Sequence, residues 1–316
     1  MKEIQCLENI KEQNVHNKYN KMKAILSILI FIPCYIYSQE YFLLDSLKTK
    51  FKVNEYTLET NEIYNIKKDI NIYNVFISKN LILLISVLPD LDEKILPRMS
   101  EKGQNWEIID YEKIKDNFFS KNKFQNILEK WLIHNSPDKK TLQYKLVKKE
   151  NGNYYASKMC LTEVFSIRNI KYPLVSSYGT INIGEQKVTI KEMEKSFTQQ
   201  FPGKDFIMDL RNGILSRQLD VFYNFRNYLS KEYTIKGNKA YQFWTFDGWW
   251  IHDGYNEHRG IDRFLYIPDK GIVGGSYDFY FSLKTKASSN NYFNVSTSTL
   301  WDNIINEKIM VAKELR

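Results

Sequence analysis

The chain has 316 residues, 43% of them hydrophobic and 15% aromatic, and a formal charge of +8. That length and apolar content supply a core, while only 13 Gly and 7 Pro exclude collagen-like or low-complexity architecture. The charge comes from 37 Lys against 8 Arg, dispersed along the chain as an AT-rich coding sequence would leave them. Nucleic-acid binders gather Lys and Arg into one stripe, so nucleic acid is not an expected partner.

Residues 1–21 are polar and lack apolar periodicity. Met22-Lys23 then precedes an unbroken apolar run, Ala24 to Ile32, followed by Pro33 and Cys34-Tyr35-Ile36-Tyr37-Ser38. A short basic start, an apolar stretch and a final small residue are the layout of a secretory signal peptide. Residues 22–38 read as that peptide and residues 1–21 as an extension or a misassigned start. Cleavage after Ser38 gives a mature chain from Gln39, exported to the periplasm, the outer surface or the medium. A membrane anchor needs about 20 apolar residues, more than Ala24–Tyr37 offers, and Leu81–Leu88 is shorter still. Lipidation at Cys34 would require a small residue where Pro33 stands. No transmembrane span is therefore expected in the mature chain. Residues 1–38 carry five Lys and three Glu, so the mature charge is +6. Cys160 is then the one remaining cysteine, which excludes an internal disulfide and a cysteine-based zinc site. It reads as a small buried apolar residue.

From Gln39 the pattern predicts strands at Phe51–Leu58, Ile72–Ser78 and Leu81–Leu88, the last ending at Pro89. Helical spacing follows over Tyr111–Phe119 and Lys123–His134, with Phe124, Ile127, Leu128, Trp131 and Leu132 three and four apart. Ser136-Pro137-Asp138 ends this stretch. It divides the chain into 39–136 and 137–316, two subdomains or one continuous domain. Thr141–Lys149 and Asn153–Cys160 read as a hairpin around Asn151-Gly152, the pair that best fits a type I′ turn. Thr189 and Glu192 have capping-box spacing, and Phe201-Pro202-Gly203 stops the helix they open. Asp205–Leu210 is strand-like. A further helix is expected from Asn212 or Gly213, with Leu215, Leu219, Phe222, Phe225 and Leu229 on one side and Arg211, Arg217 and Arg226 on solvated faces. A β-meander follows over Lys239–Lys284, including Ile261–Ile267, a turn at Pro268–Gly271 and a return through Tyr277–Leu283. A helix over Leu300–Leu315, capped by Thr299 and Asp302, closes the chain. Grouped strands with inserted helices indicate α+β architecture: antiparallel-rich sheets, a C-terminal β-meander, several amphipathic helices and a C-terminal helix.

No nucleotide-loop, α/β-hydrolase, zincin or calcium-loop spacing occurs, and no cofactor or metal is expected from motifs. One stretch stands out. Seven of the fifteen residues from Tyr241 to Tyr255 are aromatic, and His252 and His258 are two of the chain's four histidines. Alternating aromatics suit a half-buried strand, which accounts for Tyr241–Phe246 without any ligand. Trp249 and Trp250 are different, because consecutive strand residues point to opposite faces. An exposed Trp beside charged groups is the chemistry of a glycan or peptide cleft. The candidate ligand-binding residues are Trp249, Trp250, His252, Asp253, Tyr255, Glu257, His258 and Arg259. The leading expectation is a ligand- or partner-binding module, its partner a glycan, a peptide or a protein. The alternative is a metal-dependent or acid–base hydrolase on His252, Asp253 and His258, with Glu257 and Asp262 nearby.

The export expectation is checked by N-terminal sequencing of the secreted chain, which should begin at Gln39; a chain retaining Met22–Ser38 would contradict it.

Overall fold

The structure, a computed structural model, describes residues 39–91, 105–133, 140–172, 179–203, 206, 226–246, 260–281 and 295–316. Its strands form three sheets. Sheet 1 contains β1 (Glu40–Leu43), β7 (Tyr144–Glu150), β8 (Asn153–Ser157) and β5 (Trp106–Ile109), in that order, with β1 parallel to β7. Sheet 2 runs β10 (Thr180–Asn182), β9 (Met159–Arg168), β4 (Leu81–Leu88), β3 (Asp69–Ser78) and β2 (Lys52–Glu59), and β6 (Lys140–Thr141) also pairs with β9. Sheet 3 is antiparallel throughout: β11 (Arg226–Ile235), β12 (Asn238–Phe246), β13 (Arg263–Ile267), β14 (Gly271–Ser276) and β15 (Met310–Val311). The helices are α1 (Leu44–Lys50), α2 (Asn61–Tyr64), α3 (Tyr111–Ile114), α4 (Lys121–Ile133), α5 (Ile190–Gln200) and α6 (Thr297–Ile305). The fold is α+β, as expected, and Gln39–Arg316 form one compact unit. None of the described helices is long and apolar enough to cross a membrane.

Sheet 2 is the central layer. Side chains alternate across a strand, so Ile70, Ile72, Ile82 and Leu84 meet Phe243, Phe264 and Ile272 of sheet 3. Tyr73, Val75, Leu83, Ile85 and Val87 point the other way, onto Phe42 and Leu146 of sheet 1 and Leu47, Phe124 and Leu128 of α1 and α4. This is why Leu81–Leu88 is an unbroken apolar run rather than an alternating one. The outer face of sheet 3 is covered in turn: Ile190, Met193 and Phe197 of α5 and Ile304 of α6 pack on Tyr228, Trp244 and Phe246. Tyr228 and Trp244 stack at 4.8 Å between centroids, and Phe243 stacks on Phe264 at 5.2 Å.

Polar side chains tie the layers at fixed points. Asn74 on β3 donates from Nδ2 to the Ile272 carbonyl at 2.8 Å and accepts the Ile272 N–H at 2.7 Å, imitating one rung of strand pairing between sheets 2 and 3. Ser86 on β4 bonds the Tyr277 hydroxyl at 2.7 Å. Glu307 receives the first helical N–H of α5, from Ile190, at 2.6 Å and an ion pair from Lys231 at 3.0 Å.

Local signals formed where expected at several places. Asn151 and Gly152 take φ of 49° and 82°, the left-handed pair a type I′ turn requires. The Thr189–Glu192 capping box opens α5. Elsewhere the chain departs from its pattern. Leu229 lies on β11, not on a helix, because Arg226–Ile235 pairs along β12. Arg226 is buried rather than solvated, held by Glu185 at 2.5 Å. The strand returning from Lys270 is Gly271–Ser276, and residues 278–281 are helical, so the return expected through Tyr277–Leu283 is not a strand over its described residues. The final helix is α6, capped by Ser296 and ended before Glu307, whose φ is 53°. Met310–Val311 then adds an edge strand to sheet 3. Cys160 lies on β9 of sheet 2, beyond the hairpin strand. The strand and helix expected over Asp205–Phe225 fall, Phe206 excepted, outside the described residues.

Asn74→Ala strands a buried N–H and a buried carbonyl and should cost about 3 kcal/mol. Thr189→Ala, at an exposed cap, should cost about 1 kcal/mol. Urea unfolding midpoints of the two variants check the contrast.

Candidate functional site

Trp249, Trp250, His252, Asp253, Tyr255, Glu257, His258 and Arg259 lie outside the described residues, which stop at Phe246 and resume at Gly260. The two ends are anchored. Thr245 donates its N–H to the Asp262 carbonyl at 2.7 Å, and its Oγ1 lies 3.0 Å from Asn227 Oδ1 and 3.1 Å from the Ile261 carbonyl. Ile261 donates its N–H to Glu163 Oε2 at 2.8 Å. Gly260 sits so close to this carboxylate that a Cβ would come within 1.7 Å of Oε1. Asp262, a candidate acid for the hydrolase reading, is buried, and its Oδ2 accepts the Phe279 N–H at 3.1 Å. It holds the 278–281 turn.

A second polar group lies beside it. Arg263 is 1% exposed, pairs with Asp278 through Nη1 and donates from Nε to the Lys308 carbonyl at 3.0 Å. Tyr64 donates to Asp278 Oδ1 at 3.0 Å and accepts the Tyr277 N–H at 2.6 Å. Burial opposes the guanidinium charge, but Asp278 outweighs it and holds Arg263 protonated. Burial first, then the Asp278 charge, pushes the Tyr64 phenol far above its usual range. Arg263 and Tyr64 are sealed within the layers, the one held protonated and the other kept from ionising, which suits structure rather than proton transfer.

Cys160 is also buried, and that burial pushes the thiol up to about 12. A thiol held protonated is a poor nucleophile. Among the described residues, no cluster of three or more His, Cys, Asp or Glu could hold a metal ion.

The open chemistry is in the first half of the chain. Leu43, Ser46, Leu47 and Lys50 are spaced at i, i+3, i+4 and i+7, so α1 with its N-cap turns one face toward a cavity of about 400 Å³. Phe118, Phe119, Ser120, Phe124 and Gln125 form the opposite wall, with Phe42 and Phe51 completing the lining. The wall is positioned by backbone: Phe119 donates its N–H to the Tyr41 carbonyl at 3.1 Å, and Ser120 Oγ accepts the Lys123 N–H at 3.3 Å where α4 begins. Phe42 stacks on Phe119 at 4.4 Å and meets Phe124 edge-on at 6.0 Å. Phe42, Leu47 and Phe124 are buried, while Ser46 and Phe51 are partly exposed and Lys50, Ser120 and Gln125 exposed. The site is thus an apolar bowl with a polar rim, the general form of a small-molecule pocket. Sequence reasoning missed it, although Phe118-Phe119 beside Phe124 was a visible aromatic cluster.

No protein-family model matches this chain, and neither a curated protein nor a solved structure is found to match it. Geometry alone carries the functional reading.

Cys160 should stay silent to a thiol-labelling disulfide reagent at pH 8 in the folded protein and react fully in denaturant. Prompt labelling of the folded protein would contradict its placement on β9.

Proposed function

We propose that the chain is an exported binding protein that takes a small apolar or amphiphilic molecule into the phenylalanine-lined cavity between α1 and α4. The observation that carries this reading is the cavity itself: about 400 Å³, lined by five Phe and two Leu, with its polar groups confined to the rim. Ligand pockets have this size and this distribution of polarity. Its walls are part of the core, because Phe42, Leu47 and Phe124 also pack against sheet 2. Such walls are rigid and little ordering is lost on binding. Filling the bowl with alkyl volume gains about 0.8 kcal/mol per methylene. Two added methylenes therefore tighten binding about fifteenfold until the cavity is full.

A second contact with a glycan, peptide or protein at Trp249–Arg259 is favoured by one observation. The described residues on either side of it, Thr245 and Ile261, are hydrogen-bonded to the Asp262 carbonyl and to Glu163, and recognition residues are commonly carried on connections set on such a scaffold.

Displacement of a fluorescent apolar probe by straight-chain alcohols tests the cavity. Hexanol, octanol and decanol should compete at a single site with rising affinity. Ser46→Trp, which places a ring in the mouth, should abolish binding, as should Gln125→Trp from the opposite wall. Absence of saturable binding, or full binding in both variants, would overturn the reading.

A further inference from the structure

Among the described residues lining the cavity, Lys50 is the only one with a charge. Three described lysines on the flanking segments are engaged. Lys48 pairs with Glu55 at 2.5 Å, Lys123 pairs with Glu40, and Lys52 donates to the Asp269 carbonyl at 2.7 Å. Lys50 Nζ has no ion pair or hydrogen bond among the described residues. Ser46, one turn earlier on the same face of α1, places a hydroxyl beside it. Ser120 and Gln125 add only neutral groups to the rim.

Resting on the binding reading above, we propose that the ligand is a single-chain monocarboxylate, a medium-chain fatty acid, with its carboxylate on Lys50 and its chain among Phe42, Phe51, Phe119 and Phe124. Charge balance favours a monoanion, since the one unpaired cation among the described residues of the mouth neutralises one negative charge and a dianionic phosphate monoester would leave a charge unmatched. Lysine presents a compact ammonium with three donors, which needs no bidentate geometry from the acid. Size favours one chain, because a cavity of about 400 Å³ does not admit the two acyl chains of a phospholipid. A lysine at a helix C-terminus also complements the helix dipole. That role alone would leave ligand selectivity untouched, which makes the two roles separable.

Isothermal titration of the purified protein with decanoate, decanol and decyltrimethylammonium, all below their micellar concentrations, tests the proposal. Decanoate should bind about tenfold more tightly than decanol, and the cationic chain should bind most weakly. Lys50→Met, which keeps the aliphatic stem, should reduce decanoate to the affinity of decanol and leave decanol unchanged; Lys50→Arg should restore the preference. The preference should also vanish as decanoate protonates, at pH values below about 4 to 5. Equal binding of decanoate and decanol by the wild-type protein overturns the carboxylate assignment and leaves the cavity reading standing. Parallel loss of both ligands in Lys50→Met also overturns the assignment. Failure of all three ligands to bind overturns the cavity reading, and the assignment with it.

Discussion

Burial of Leu81–Leu88 on both faces is the constraint from which the rest of the structure follows. A strand with one wet face needs a single covering layer, but β4 has none to spare. Sheet 3 covers the side of Ile82 and Leu84, and sheet 1 with α1 and α4 covers the side of Leu83, Ile85 and Val87. Sheet 3 then has a second apolar face of its own, which α5 and α6 close. The layers are successive answers to one demand: every apolar face created by covering another must itself be covered.

Apolar contact is non-directional and would let the sheets slide over one another. Directional polar groups fix them. Asn74, Ser86 and Glu163 all project from sheet 2 toward sheet 3, where they meet the Ile272 backbone, the Tyr277 hydroxyl and the Ile261 N–H. Each is costly to bury unless its partner arrives in register, so each penalises a wrong alignment. The Arg263–Asp278 pair extends the principle, with Tyr64 and Ser276 bonding the same carboxylate. Arg263 Nη2 nevertheless has no hydrogen-bond partner among the described residues, so the pair is not a simple gain in stability; its clearer contribution is to join α2, β13 and the 278–281 turn at one point.

Legibility in the sequence followed the range of the interaction. The Asn151-Gly152 turn, the Thr189–Glu192 box and the uninterrupted run Leu81–Leu88 are local patterns, and all three formed. Arg226–Ile235 was misread because Leu215, Leu219, Phe222, Phe225 and Leu229 extend a helical spacing into a segment whose partner, β12, lies beyond a turn at Lys236-Gly237. The burial of Arg226 depended on Glu185, 41 residues away. The stretch from Ile304 to Leu315 keeps an apolar pattern after the helix ends, because Met310 and Ala312 serve sheet 3 and its neighbouring core rather than a helix stripe. The α+β class was readable from element order, whereas the layering was not.

The cavity was the least legible feature, and for the same reason. Its walls come from residues 42–51 and 118–125, two segments whose own signals are merely amphipathic. They become a site only when the parallel pairing of β1 with β7 and the Phe119–Tyr41 bond set Phe42 against Phe119. What separates this place from the other polar clusters is the state of its charge. Glu307, Asp278 and Glu185 are buried and each is bonded within the fold, so their charges are used up in holding it together. Lys50 stands at the edge of an apolar bowl with its charge uncommitted. Most of the buried charge is spent inside the fold, whereas the Lys50 ammonium lies exposed at the rim of the cavity, where an anion entering from solvent can pair with it.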